Sequence, residues 1–284
     1  MPALVLLAPG PLSGKTTIAV ALAHHFTSQG KAVSLSRAGE DANAATDREL
    51  FTHIGSPATA GAVTLTEAPA GEQLAGADRA IVVSEATIEP AQLARFCQPL
   101  APNLAGVILN RVPARRRAAV RADIEATGVK VLAAMPEDRL LAVPTLDEVA
   151  DVLNAEKMLF DSTGARSLDR IIIASISADP GQGYFARTGA ETVIVRSDKP
   201  DLQLAALNAG ASAMIVTGDL PILGYVLDRA QEDMVPILRT RLDTIEAVKA
   251  IENLYAARPF AGGTGKLERA AALAAEIDSA SITS

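Results

Sequence analysis

The sequence predicts an α/β protein in which parallel sheets carry helices on both faces. Short apolar runs alternate along the chain with helical segments of about a dozen residues, which is the pattern of right-handed β-α-β units. Only 3% of the residues are aromatic and tryptophan is absent, so Ala, Val, Ile and Leu must build the cores, as in parallel sheets covered on both faces. The 284 residues suffice for two domains of ordinary size.

The first element is a buried strand that leads through a tight loop into a helix. The apolar run Ala3–Leu7 stops at Pro9-Gly10, and apolar residues recur every four positions after Gly14-Lys15-Thr16. Backbone N–H groups of such a loop point at an anion, Lys15 can reach the terminal phosphates, and the Thr16 hydroxyl can ligate Mg²⁺. The sequence therefore predicts an ATP and Mg²⁺ site. An ordinary strand-to-helix connection is the alternative.

One position departs from a regular P-loop. Pro9 stands where the first glycine is usual, and its φ is held at about −65°. We expect Gly10 to take over the turn. The predicted nucleotide-binding residues of the loop are Gly10, Ser13, Gly14, Lys15, Thr16 and Thr17.

Further strands and helices alternate through the first half of the chain. Strands are predicted over Lys31–Ser36, Ala80–Ser84, Ala105–Leu109 and Val129–Ala134. Helices are predicted over Ala45–Ile54, Pro90–Pro99 and Arg115–Ala126. The segment Gly55–Gly76 has weak periodicity and is assigned no structure.

A second, smaller α/β series follows a predicted helix over Thr145–Leu159. Its strands are predicted over Arg170–Ser175, Thr192–Arg196, Ser212–Thr217 and Val235–Arg239. Its helices are predicted over Leu202–Asn208, Leu223–Glu232 and Thr244–Ala256, and a last helix over Lys266–Ile277 follows a break at Gly262–Gly265. The domains predicted from this pattern are 1–141, 142–258 and a C-terminal linker with a helix, 259–284.

In an open α/β sheet the ligand lies beyond the carboxyl ends of the strands, so the residues that follow each strand are candidates for chemistry. Glu85 follows a buried strand and is predicted to ligate the Mg²⁺ held by Thr16; a solvated loop acid is the alternative. Asp41 is a further candidate metal ligand, although a solvated position explains Asp41 and Asp47 equally well. Lys15 and Glu85 are the candidate catalytic residues.

Asn110 ends another strand of the first domain. Its amide offers a donor and an acceptor, which recognition of an adenine edge requires; a turn residue is the equal alternative.

Two strand ends in the second domain resemble each other. Ser197-Asp198-Lys199-Pro200 and Thr217-Gly218-Asp219 each follow a strand, and Asp198 can cap the helix that begins there. Lying side by side, these loops would form a ligand or dimer surface.

Composition excludes several classes of protein. The net charge of −7 argues against a nucleic-acid partner, and a single cysteine, Cys97, excludes an internal disulfide and a cysteine metal cluster. No apolar run approaches the roughly eighteen residues of a membrane helix, so a cytoplasmic protein without a membrane partner is expected.

The order of motifs resembles a known pair of domains. With the P-loop and Glu85, the segments Ala105–Pro113 and Val131–Arg139 resemble the dethiobiotin-synthetase-like P-loop domain at the N-terminus of long bacterial phosphotransacetylases. The region Ala142–Arg258 is similar to the DRTGG domain that follows it there, while the acetyltransferase domain is absent. The fold class expected is thus a P-loop NTPase-like parallel sheet with a smaller DRTGG-type α/β domain.

The resemblance implies roles for single residues. Lys15 and Thr16 would bind ATP phosphates and Mg²⁺, Glu85 would be a metal ligand, and Asn110 would lie near adenine. The chain departs from a synthetase after the second strand, where Arg37-Ala38 replaces Lys-Pro, and after the later strand, where Glu85-Ala86 replaces Glu-Gly. These departures weaken the expectation of dethiobiotin synthetase chemistry.

Three functions remain open from the sequence. The first is a regulatory or scaffolding protein that binds Mg·ATP, forms a homo-oligomer through its second domain and controls a metabolic enzyme on another chain. The second is an ATP-dependent ligase or ATPase of the dethiobiotin synthetase type, in which Lys15 and Mg²⁺ stabilise charge during phosphoryl transfer. The third is a structural protein with a degenerate nucleotide site.

Overall fold

The computed structural model describes residues 3–55, 62–72, 78–159, 168, 170–174, 185, 187, 192–257, 260, 264–277 and 282. The chain divides into two compact units, Met1–Leu141 with Pro259–Ser284 and Ala142–Arg258. The C-terminal segment, expected as a linker and helix, therefore groups with the first unit. In the chain order, the second unit is an insertion in the first.

The first unit contains a six-stranded parallel sheet in the order β2-β3-β1-β4-β5-β6. Its strands are β1 (Ala3–Leu7), β2 (Val33–Arg37), β3 (Val63–Glu67), β4 (Arg79–Glu85), β5 (Leu104–Val112) and β6 (Val131–Pro136). Its helices up to residue 142 are α1 (Lys15–Ser28), α2 (Ala44–Ile54), α3 (Pro90–Cys97), α4 (Arg117–Glu125) and the short α5 (Arg139–Ala142), with 3₁₀ turns at Gln98–Leu100 and Ala114–Arg116.

Side-chain alternation along the strands separates two apolar layers. In β1, Leu4 and Leu6 pack with α1 and α2, whereas Val5 and Leu7 pack in a second core that includes α3 and α4. Both cores are aliphatic, and Phe26 and Phe51 are the buried aromatics of the first. The predicted fold class is confirmed.

Strand β3 was not predicted, because its segment is flanked by Gly, Pro and Ala. The alternation of Val63 and Leu65 with threonines was nevertheless a strand signal. β3 lies between β2 and β1, and its last residue, Glu67, pairs in register with Arg37 and Leu6. A carboxylate thus ends a central strand of the sheet.

The second unit contains a five-stranded sheet in the order β7-β11-β10-β9-β8, in which only β7 is antiparallel. Its strands are β7 (Glu156–Leu159), β8 (Ile171–Ile173), β9 (Thr192–Arg196), β10 (Ala213–Thr217) and β11 (Ile237–Thr240). Its helices are α6 (Leu146–Val152), α7 (Pro200–Asn208), α8 (Gly224–Glu232) and α9 (Thr244–Ala257).

The predicted helix Thr145–Leu159 is wrong in its second half. Thr145 and Glu148 form a capping box that starts α6, and the helix ends at Val152. Asn154 then adopts a left-handed conformation with φ 46°, which asparagine tolerates better than most residues. The chain continues as β7, whose residues pair with β11. Tertiary pairing therefore overrides the helical periodicity.

The last helix, α10 (Thr264–Ala274), packs against α1. Its Ala270, Leu273 and Ala274 are buried in the same core as the apolar face of α1. Arg269 donates to Asp138, and Arg117 pairs with Glu276. Residues 262–263 of the predicted break at Gly262–Gly265 lie outside the described residues, whereas Thr264 and Gly265 already belong to α10. No helix in the described parts of the chain is long and apolar enough to cross a membrane.

We expect Leu273→Ala to lower the free energy of unfolding of the first unit. The Leu273 side chain is 5% exposed and lies in the core that also contains the apolar residues of α1. Truncation of a buried leucine lowers the free energy of unfolding by about 2 to 5 kcal/mol. Urea denaturation followed by circular dichroism measures the change. The exposed Glu268→Ala, one turn away, serves as the control. Equal stability of the two variants would contradict the assignment of α10 to this core.

Candidate functional site

The loop between β1 and α1 forms the predicted phosphate-binding turn. Gly14 has φ +89° and precedes the first residue of α1, and the Ile18 N–H donates to its carbonyl oxygen. Leu12 is also left-handed, with φ 56°. The turn is therefore made at Leu12 and Gly14; the expectation that Gly10 takes over is wrong, since Gly10 is not left-handed. The first N–H groups of α1 face the carboxyl edge of the sheet, where an anion would bind.

Asn110 closes over this loop from the end of β5. Its Nδ2 donates to the Ser13 carbonyl oxygen at 3.0 Å. A Cβ atom on Gly14 would lie 2.0 Å from that same nitrogen, and the positive φ would strain any other residue. Glycine is therefore required at position 14 both by conformation and by contact. Asn110 is placed beside the P-loop; its predicted role at adenine stays a prediction.

Lys15 is buried at the start of α1 and faces an acid. Its side chain is 6% exposed, and Nζ lies 3.9 Å from Oε1 of Glu67, which is 4% exposed. Burial lowers the pKa of Lys15, and the Glu67 carboxylate opposes that shift. The lysine is thus held at the strand ends by a carboxylate that sequence analysis had not identified.

The Arg37 guanidinium forms ion pairs with three carboxylates at this edge of the sheet. Its Nε lies 3.3 Å from Oδ2 of Asp47 and 3.8 Å from Oε1 of Glu67, and its side chain is 2% exposed. A third carboxylate, Asp41, also pairs with the guanidinium. The rigid fork of arginine suits such a set of acceptors.

The Thr16 hydroxyl contacts an acid of α2. Its Oγ1 donates to Oδ1 of Asp47 at 3.3 Å, and Asp47 is almost fully buried in the first turn of α2. Burial raises the pKa of Asp47, with the hydrogen bond from Arg37 acting in the opposite direction. Thr16 and Asp47 thus present two oxygens side by side next to the phosphate loop.

Both predicted metal-ligating acids are paired with arginines. Oε1 of Glu85 accepts from Nη1 of Arg111 at 2.8 Å, and both side chains are partly exposed. Asp41 is 40% exposed and bonded to Arg37. In the described ranges, no group of three or more His, Cys, Asp or Glu side chains could hold a metal by itself. Metal ligation by Glu85 and Asp41 therefore stays a prediction.

Glu67 has two unusual properties in this cluster. Burial raises its pKa to about 7, and the nearby Asp47 carboxylate adds to the rise, while Lys15, Arg37 and Thr16 act against it. Its Oε2 is buried without a hydrogen-bond partner, as is Oγ of Ser13 in the loop. Buried oxygens without partners are uncommon and indicate a place where a ligand or water completes the hydrogen bonding.

The carboxyl edge of the second sheet brings the two predicted loops together. The Ser197 N–H donates to the Thr217 carbonyl oxygen at 2.8 Å, and a Cβ on Gly218, with φ +101°, would lie 2.8 Å from Ser197 Oγ. Asp198 pairs with Arg196 and does not cap α7, so the predicted cap is wrong. Oε1 of the fully buried Gln203 has no partner there.

Titration of Glu67 makes a prediction about stability. Because its pKa is about 7 in the folded state and about 4.5 when exposed, the folded state binds the extra proton between these values. The contribution of Glu67 to the free energy of unfolding is therefore greatest below pH 4.5. It decreases as the pH rises from 4.5 to about 7, by about 3 kcal/mol in total.

We therefore expect Glu67→Gln to flatten the pH dependence of the unfolding free energy between pH 4.5 and 7. Urea melts at several pH values in EDTA measure it, with the exposed Glu72→Gln as the control. Parallel curves for the native chain and Glu67→Gln would show that Glu67 titrates normally.

Comparison with known proteins finds two different domains along the chain. Residues 12–146 match the CobQ/CobB/MinD/ParA nucleotide binding domain, and residues 148–254 match the DRTGG domain. A probable manganese-dependent inorganic pyrophosphatase of Thermotoga maritima is 25% identical over 148 residues, which cover 45% of this chain. The chain spans 27% of the length of that relative.

A solved structure is also similar. It contains the CBS and DRTGG domains of the regulatory region of Clostridium perfringens pyrophosphatase, complexed with the activator diadenosine tetraphosphate. The two chains are 14% identical, the match covers 60% of this chain and 71% of the other, and the TM-score is 0.35. The chain thus joins a nucleotide-binding, P-loop-like domain of the CobQ/CobB/MinD/ParA type to a DRTGG domain.

Proposed function

We propose that the protein is a regulatory or scaffolding protein whose first domain binds Mg·ATP. The observation that carries the proposal is the loop geometry: Gly14 is left-handed, and Lys15 and Thr16 begin α1 beside carboxylates that hold their side chains. Phosphate oxygens would accept from the loop N–H groups and from Lys15. The inserted DRTGG domain supports a role in regulation.

Thr16 and Asp47 would hold the Mg²⁺ that accompanies the nucleotide. Mg²⁺ in phosphate sites takes one or two carboxylates and completes its shell with phosphate oxygens and water, so a full protein cage is not needed. The adjacent oxygens of Thr16 and Asp47 fit this requirement. When bound, the cation would neutralise phosphate charge. Glu85 is the further candidate ligand, once free of Arg111.

The engagement of Arg37 favours regulation over ligation. A synthetase of this type usually has Lys-Pro after the second strand, whereas here Arg37 is buried and paired with Asp41, Asp47 and Glu67. The third possibility, a degenerate site, is disfavoured by the intact Gly14-Lys15-Thr16 sequence and by the unpartnered oxygens of Ser13 and Glu67. The enzyme partner, the homo-oligomer and the cytoplasmic location stay predictions.

Lys15→Ala tests the nucleotide site. We expect micromolar binding of ATP to the native chain by calorimetry with Mg²⁺, weakened roughly 10- to 100-fold in the variant, because a charged hydrogen bond contributes about 1.5 to 3 kcal/mol. Lys249→Ala, an exposed lysine of the second domain, is the control. Absence of ATP and ADP binding to the native chain would leave a protein whose fold serves assembly.

The metal assignment has its own test. We expect Mg²⁺ to raise the ATP affinity of the native chain about tenfold over EDTA, and Asp47→Asn to remove that gain. Asp41→Asn is the matched control, since Asp41 also pairs with Arg37. Thermal melts verify folding of both variants. If Asp41→Asn or Glu85→Gln removed the gain while Asp47→Asn kept it, the metal ligands would be those residues.

A further inference from the structure

Arg111 lies in a bulge at the carboxyl end of β5. Leu109 pairs with Ala134 and Val112 with Pro136, so two residues of β5 face one residue of β6. Arg111 takes the left-handed conformation, with φ 53°. A non-glycine residue rarely adopts this conformation, and such strain is concentrated where a side chain must be aimed at a site.

The bulge changes the direction of two consecutive side chains. In a regular strand they would point to opposite faces of the sheet. Here Asn110 donates to the Ser13 carbonyl of the P-loop, and Arg111 donates to Glu85 at the end of β4. Asn110 therefore contacts the phosphate loop, and Arg111, the next residue, pairs with the end of β4, which lies between β5 and β1 in the sheet.

The ion pair between Arg111 and Glu85 can be broken at small cost. The Arg111 and Glu85 side chains are 47% and 38% exposed, and an ion pair at that exposure contributes little to stability. A guanidinium presents a planar fork of donors that matches phosphate oxygens as well as it matches a carboxylate. Arg111 can therefore leave Glu85 for a phosphate at small cost.

Arg111 differs from the other cations of this edge in how far its charge is compensated by buried carboxylates. Lys15 and Arg37 are surrounded by the buried carboxylates Glu67 and Asp47, so much of their charge is compensated inside the protein. A nucleotide brings several negative charges to the loop. Among the described residues the side chain of Arg111 pairs with the partly exposed Glu85, so it is a cation that can move to meet them.

We propose that Arg111 binds the phosphate chain of the nucleotide, exchanging the Glu85 carboxylate for a phosphate oxygen when the nucleotide enters. The inference rests on the proposed nucleotide binding and adds to it a residue and a competing ion pair. Glu85 then acts as a built-in competitor that keeps Arg111 occupied in the nucleotide-free protein.

Calorimetry on Arg111→Gly tests the proposal. Glycine accepts the left-handed backbone, so the variant removes the side chain without adding strain. In EDTA we expect about tenfold weaker ATP binding and unchanged adenosine binding, with a smaller loss in Arg111→Lys. Arg95→Ala, an exposed arginine of α3, should leave both affinities unchanged. An equal loss for ATP and adenosine would give Arg111 a structural role and overturn the proposal.

Competition is tested with Glu85→Gln. This variant should bind ATP severalfold more tightly than the native chain in EDTA, and the gain should vanish in the double variant with Arg111→Gly. A gain that persists without Arg111 would overturn the competing pair. If Lys15→Ala weakens ATP binding as expected while Arg111→Gly leaves it unchanged, Arg111 has no such role and the nucleotide site stands. If the native chain binds no ATP, both proposals fall.

Discussion

A buried guanidinium organises the phosphate-binding edge of the first sheet. Arg37 ends β2 with its side chain almost fully excluded from water, a position that is tolerated only when the charge is paired and hydrogen-bonded. Its partners Asp47 and Glu67 in turn contact Thr16 and Lys15. Lys15 and Thr16, the two side chains expected to bind phosphate and metal, are therefore positioned by the carboxylates that Arg37 holds.

The sheet topology explains why these groups meet. β1 lies between β3 and β4, and the chain passes from one side of β1 to the other between β3 and β4. A crevice forms at such a point at the carboxyl ends of parallel strands, and the loop after β1 opens into it. Glu67 lies at the end of β3 and Glu85 at the end of β4. Asn110 and Arg111 lie near the end of β5.

Local signals made much of this predictable. The strand, glycine turn and helix around Lys15 were sufficient to identify the phosphate loop, and apolar runs identified the strands of both domains except β3 and β7. Glu67 was missed because β3 is short and flanked by residues typical of loops. β7 was missed because its pairing with the distant β11 competes with a helical pattern that local sequence favours.

The contacts between side chains were less predictable from the sequence than the helices and strands. A solvated position explained Asp47 at least as well as a role in the site, because neither its hydrogen bond with Thr16 nor its pairing with Arg37 has a sequence signature. The bulge that directs Arg111 to Glu85 depends on the register of β5 against β6, which no local pattern encodes. Polar clusters of this kind are determined by tertiary geometry.

The packing of α10 on α1 has a consequence for synthesis of the chain. α1 ends at Ser28 and α10 begins at Thr264, so the apolar face of α1 stays uncovered until the residues of α10 have been synthesised. At about 5 to 20 residues per second this delay lasts roughly ten seconds to a minute. During that time the first unit lacks the residues Ala270, Leu273 and Ala274 of its core, so it is incomplete. Nucleotide binding by this unit would then begin only after α10 has been made.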